Sequence, residues 1–290
     1  MEVITTIING LSLGGIYAMI ALGYTMVYGI AKMLNFAHGD IIMVGGYTIM
    51  VFLNMTGQPL LAILAAVVFC LLLGVTVEKL AYKPLRGASP LAVLITAIGV
   101  SYFLQSIAQI VFGAAPKMVI IADLGKVAIG DLTIQVYTLV TLASTIVVMA
   151  VLSLFVKYTK TGRAMIATSE DRAATELMGI NVNKIITITF AIGSSLAALA
   201  GLFYLLKAPS LSSTFGSMPG IKAFTAAVIG GIGSIPGAML GGILLGIVET
   251  VCLMIPPIAP YTEAIEFAIL IVILLVKPTG ILGKRRREKV

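Results

Sequence analysis

Apolar runs follow one another along this chain at about 3–31, 41–55, 60–80, 91–112, 135–156 and 185–206, then 223–233, 238–254 and 263–277. A helix crosses the hydrocarbon core of a bilayer with about 20 apolar residues. Inside that core every backbone N–H and C=O must be satisfied by the protein itself. These two conditions leave an all-α integral membrane protein, a polytopic bundle of about eight transmembrane helices in a single domain over residues 1–290. Composition agrees: 11% of the residues are charged and the mean hydropathy is +1.11, against about 25% charged in a soluble domain. The start, MEVITTIING, carries Glu2 where a cleaved signal peptide has basic residues, so it is expected to lead into the first span. Cys70 and Cys252 lie in apolar runs without polar neighbours, which disfavours a disulfide or metal site.

Two stretches interrupt the pattern. Residues 113–134 are mixed, with Asp123 and Asp131 among short alternating apolar residues, and read as a small extramembrane hairpin on the outer side. Residues 223–233 are too short to cross as a helix, and Ser234-Ile235-Pro236-Gly237 separates them from 238–254. Residues 222–254 are therefore expected to form a broken or re-entrant hairpin whose irregular backbone faces the protein interior. Gly233, Gly237 and Gly241, and then Gly242 and Gly246, recur at intervals of four. They could line a solute path or serve close packing against a second subunit. Gly10 and Gly14 repeat the same spacing in the first span.

Fifteen of the 19 Lys and Arg residues collect on one side of this scheme, and four (Lys117, Lys126, Lys207 and Lys222) on the other. The positive-inside rule makes the richer side cytoplasmic. The N-terminus is then outside and the C-terminus inside, and the broken pair is needed for that parity. The net charge of +7 is thus topological and implies no nucleic acid. Lys284 to Arg287 read as an anchor to anionic membrane lipid.

Residues 157–184, KYTKTGRAMIATSEDRAATELMGINVNK, hold eight of the 31 charged side chains in a loop on the cytoplasmic side. Thr168 and Asp171 have capping-box spacing and Gly179 is placed as a helix terminator. Ala174, Leu177 and Met178 share one apolar face. The plain reading is a solvated surface helix. The sharper one is a docking helix, because nothing else in the loop can cover that face.

Thr159-Lys160-Thr161-Gly162-Arg163-Ala164-Met165 through Ser169-Glu170-Asp171-Arg172-Ala173-Ala174 to Gly179 resembles the coupling region of bacterial ABC importer permeases. Asn35-Phe36-Ala37-His38-Gly39-Asp40 and Ala226-Ala227-Val228-Ile229-Gly230-Gly231-Ile232-Gly233-Ser234 resemble one branch of them, the LivH-type branched-chain amino acid permeases. One spacing departs from the general coupling motif: four residues, not three, separate Ala174 from Gly179. The resemblance implies import of hydrophobic amino acids across the inner membrane together with a second homologous permease, two cytoplasmic ATPase subunits and a periplasmic solute-binding protein. The chain has no GxxxxGK[ST] phosphate loop, so it is expected to bind no cofactor and to leave ATP to its partners. Arg163, Glu170, Asp171, Arg172, Ala174, Leu177, Met178 and Gly179 are the candidate coupling residues. The same machinery carrying urea, an amide or a sugar, and an ion-coupled carrier, are the alternatives.

Asn35, His38, Gly230, Gly233, Ser234 and Glu249 are candidates for the solute path. His38, the only histidine, could gate; structurally, Asn35 would cap the second helix and His38 would satisfy a carbonyl at the membrane edge. Glu249, an ionisable group in an apolar run, could serve transport or pair with a neighbour. No nucleophile, base and orienter constellation supports an enzyme.

Overall fold

The computed structural model describes residues 2–122, 124–129 and 132–283. Its helices are α1 (Glu2–Ala31), α2 (His38–Thr56), α3 (Pro59–Val77), α4 (Pro90–Phe112), α5 (Val136–Tyr158), α6 (Lys160–Glu170), α7 (Arg172–Leu177), α8 (Val182–Lys207), α9 (Ser217–Gly230), α10 (Ile235–Met254) and α11 (Thr262–Val276). Eight of them, all but α6, α7 and α9, supply spans long and apolar enough to cross a membrane among the described residues. Among the described residues there are also four short strands: β1 (Lys117–Met118), β2 (Lys126–Ile129), β3 (Leu132–Gln135) and β4 (Ser210–Leu211). The expected hairpin is present as β2 against β3, with Lys126 opposite Gln135. In addition β1 pairs with the distant β4.

The bundle is built around α1, which is buried almost without interruption from Leu13 to Ala31. Its main partner is α10, running antiparallel. Gly14 meets the Ile243 backbone, Gly242 meets Ala18, and Gly246 meets Gly14 and the Gly10 carbonyl, with no room for a Cβ. Lipid tails give apolar side chains little reason to prefer each other, so close backbone approach supplies the contact. The other row on α10 is used as well: Gly237 packs on Gly230 and Gly241 on the Ala226 carbonyl of α9. Both glycine rows of α10 are therefore spent within the chain.

The two ends of the bundle differ in charge. Arg172 reaches the Ile30 and Ala31 carbonyls, Gly29 faces Gly233, and the Ile281 and Leu282 amides donate to the Ile229 and Gly230 carbonyls. These contacts, with Arg86 donating to Asn183, gather the end of α1, residues 78–90, 157–184 and 277–283 at one basic end. Thr6 meets Met254 at the other end, together with the β1–β4 pair.

The helix break expected in 222–254 is real, and its position is instructive. Gly231 (φ 107) and Gly233 (φ 93) adopt conformations suited to glycine, and Ser234 caps α10 by accepting from the Gly237 amide. The break lies at the basic end with Gly233 exposed, and α10, at 20 residues, is long enough to cross by itself. The 14-residue α9 is about 21 Å long. Irregular backbone enters the bundle elsewhere. Lys32 turns the chain at φ 55, and residues 33–37 fold back until His38 abuts Gly23, about 12 Å up from the end of α1. The second helix thus begins at 38 rather than near 41, inside the bundle rather than at its edge. α9 starts beside it, where Gly216 meets Gly39 backbone to backbone.

Gly246→Leu is expected to destabilise the chain by about 3 kcal/mol or more, since its Cβ would overlap the α1 backbone. Gly99→Ala, in open space on α4, should leave the detergent-solubilised melting temperature unchanged or slightly raised. Equal melting of both variants would remove glycine packing as the basis of the α1–α10 contact.

Candidate functional site

The charged segment 157–184 holds two helices, α6 and α7, not the single capped helix expected over 168–179. Thr159 caps α6 by accepting from the Gly162 amide at 3.0 Å, and Gly162 lies flat on the Phe155 and Val156 backbone. Gly162, Met165 and Thr168 form the buried face of α6. Thr168 lies in the last turn of α6 and its hydroxyl donates back to the Ala164 carbonyl, so it forms no capping box. Asp171 is the cap of α7, accepting from the Ala174 amide at 3.0 Å. Its β-region backbone separates the two helices. Thr-x-x-Gly and Asp-x-x-Ala were the signals for both caps. Gly179 ends the unit at φ 80, with its amide on the Glu176 carbonyl and the Ile180 amide on the Thr175 carbonyl, as an αL helix end requires.

Arg163, Glu170, Asp171, Ala174, Leu177, Met178 and Gly179 are exposed. Leu177 and Met178 stand 88% and 80% open to solvent, an apolar tip without cover among the described residues. Arg172 differs. Its guanidinium turns inward onto the C-terminal carbonyls of α1, where the negative end of the helix dipole favours a cation. Burial, and after it the neighbouring Arg86 charge, lowers its pKa from the ordinary value. Arg172 is a tie between α7 and α1. Beside it, Met165 and Ser169 of α6 share a crevice with Gly29, Gly233 and Ile235, so α6 touches the α9–α10 break.

Asn35 and His38 sit in the re-entering segment. Asn35 does not cap α2: Ala37 holds that position, and the Asn35 amide oxygen accepts from Tyr82 OH at 2.8 Å. The His38 ring, 1% exposed, hydrogen-bonds the Ile20 backbone and packs edge-on against Tyr24, its Nε2 without a partner. Asp40, in the first turn of α2, accepts from Gln105 at 2.8 Å. Gly230 is buried against Gly237, while Gly233 and Ser234 form the break at the basic end.

Glu249 belongs to a charged cluster that the sequence did not reveal. Lys222 lies 3.0 Å from Glu249 and 3.2 Å from Glu266, and Tyr17 OH donates to Glu249 at 2.7 Å. Lys222 is thus not the loop lysine expected on the outer side; it is buried on α9, which leaves Lys117, Lys126 and Lys207 for the side expected outside. Glu266 is 1% exposed. Three helices contribute one group each, which no local pattern announces. Neutralising one partner alone leaves an uncompensated buried charge, at about 3–5 kcal/mol. Lys222→Met is therefore expected to abolish a monodisperse folded chain. The triple variant Lys222→Met, Glu249→Gln, Glu266→Gln should restore it in size-exclusion chromatography. A single variant as stable as the parent would show that the cluster carries no such coupling.

With this geometry established, comparison with known proteins is informative. Residues 6–274 match the family model described as "Branched-chain amino acid transport system / permease component". The chain is 41% identical to the high-affinity branched-chain amino acid permease protein BraD of Pseudomonas aeruginosa over 98% of this chain and 97% of that one. Identity to LivH of Escherichia coli K12 is also 41%, over 97% and 96%. A ribose import permease protein, RbsC of Haemophilus influenzae, matches at 34% identity over 44% of this chain and 41% of its own. With near-full-length identity at this level, the chain belongs to the family of branched-chain amino acid transport system permease components.

Proposed function

We propose that this chain is the membrane-spanning permease subunit of an ATP-driven importer for branched-chain amino acids, a multi-pass protein of the inner membrane. The observation that carries the reading is the uncovered apolar tip of α7, at the basic end of a bundle without a phosphate-binding loop of its own. Energy then enters from docked ATPase subunits, one to each permease of a pair, with a periplasmic solute-binding protein at the opposite end. The positive-inside rule puts the basic end in the cytoplasm, with the N-terminus outside. Leu177 and Met178 seat in the ATPase, and Arg172 conveys its displacement to the end of α1. Such coupling needs an element with two arrangements, and the α9–α10 break is the one nearest α6. The substrate class rests on the names of the full-length relatives. A ribose-type cargo is the second reading, favoured by the partial match alone. An ion-coupled carrier is poorly served, because Glu249 and Glu266 are engaged by Lys222 and Asp40 by Gln105.

Proteoliposomes holding the co-purified complex, with binding protein outside and ATP inside, should accumulate leucine but neither urea nor ribose. Leu177→Asp places a charge where it would be desolvated, and is expected to prevent co-purification of the ATPase while the permease still inserts. Retained assembly with full uptake would return α7 to an ordinary surface. For topology, a cysteine at Ala173 should be protected from an impermeant thiol reagent in intact cells and one at Ala122 labelled. The reverse pattern overturns the orientation.

A further inference from the structure

A cavity of about 210 Å³ opens at the end of the bundle away from the coupling segment, between α1, the start of α5 and the ends of α8 and α10. Its chemistry is divided. Lys207, Asn9, Ser12, Thr138 and Thr141 present polar groups, and Leu13, Ile16 and Phe203 present an apolar wall. Thr138 donates to Asn9 at 3.4 Å, whereas the Thr141 hydroxyl, 1% exposed, has no partner among the described residues. A buried hydroxyl without a partner costs stability and calls for an explanation. Small-molecule sites have this character: a mostly apolar hollow with a few convergent polar groups. A cavity of about 150 Å³ accepts benzene, so this one takes a small molecule of amino-acid size and not a disaccharide or peptide.

We propose that this cavity is the permease's own binding site for the incoming solute, an α-amino acid with an apolar side chain, with Lys207 anchoring its carboxylate. The assignment rests on the amino acid import reading and adds a site to it. Lys207 is exposed, so it can meet an anionic group arriving from outside and hold it by a charge-assisted hydrogen bond. Thr141 Oγ1 donates to the same carboxylate. The Asn9 carbonyl oxygen and Ser12 hydroxyl accept from the ammonium group. Leu13, Ile16 and Phe203 cover the aliphatic side chain. The site adjoins the buried cluster: Lys207 lies within electrostatic reach of Glu249 and Lys222, and Thr250, on its lining, follows Glu249 on α10. Neutralising Lys207 with a bound carboxylate therefore alters the field at the Lys222 pairs.

Two substitutions in the reconstituted complex separate binding from structure. Lys207→Met should raise the KM for leucine about tenfold or more, with Lys207→Arg staying within about threefold of the parent. Thr141→Val should raise KM about fivefold. Because that hydroxyl has no protein partner, the same change should leave the melting temperature unchanged or raised, which a merely structural role would not combine with weaker uptake. Radiolabelled leucine bound to the purified complex without binding protein should be displaced by unlabelled leucine and not by leucinamide, which lacks the carboxylate. Normal uptake by the parent with unchanged KM in both Lys207→Met and Thr141→Val overturns the site alone. Displacement by leucinamide as effective as by leucine overturns the carboxylate anchor. Absence of leucine uptake by the parent overturns the amino acid reading and this site with it.

Discussion

The backbone contact between α1 and α10 is the interaction on which the rest of the structure depends. In lipid there is no hydrophobic drive between apolar helices, so association rests on how closely two backbones can approach. Gly14, Gly242 and Gly246 remove the side chains that would hold α1 and α10 apart. Once α10 is seated, Glu249 is brought to Tyr17, and α9, packed on the other glycine row, brings Lys222 to Glu249. The charged cluster is thus a consequence of glycine packing, and a Cβ at these crossings would separate its members.

α1 also joins the two ends chemically. At the basic end its last carbonyls hold Arg172, and Gly29 faces the break before α10. Toward the other end Tyr17 holds Glu249, and Leu13 and Ile16 line the cavity. A helix with one end tied to α7 and the other to a polar cavity is a direct physical route between them. The route carries coupling only if an element along it has two arrangements. The short α9 and the glycine break beside α6 offer that freedom, since Gly231 and Gly233 already occupy backbone regions open to little but glycine.

The charged cluster and the re-entering segment share one physical rule. Polar groups inside a membrane protein persist when partners are supplied from other helices. Lys222 serves two carboxylates, Tyr82 serves Asn35, and Gln105 serves Asp40. Among the groups left over, His38 Nε2 sits where the chain re-enters and the Thr141 hydroxyl where the cavity opens.

Residues read alone determined a good deal. The apolar runs imposed the eight spans, because length and lipid solubility are local properties. The β2–β3 hairpin followed from the alternation of apolar residues, and the break near Ser234 and the Gly179 terminus from turn and cap chemistry, which acts within a few residues. In 168–179 local chemistry leaves two candidates for the cap, Thr168 and Asp171, and packing of Gly162, Met165 and Thr168 against the bundle decides for Asp171. What only tertiary structure decided are the facts that join distant residues. Lys222 leaves the outer charge count because two carboxylates from other helices meet it. Arg172 turns from the exposed face of α7 to α1, and residues 33–37 enter the bundle because Gly23 makes room for His38. Each depends on the approach of helices separated by many residues, and sequence spacing carries no information about that distance.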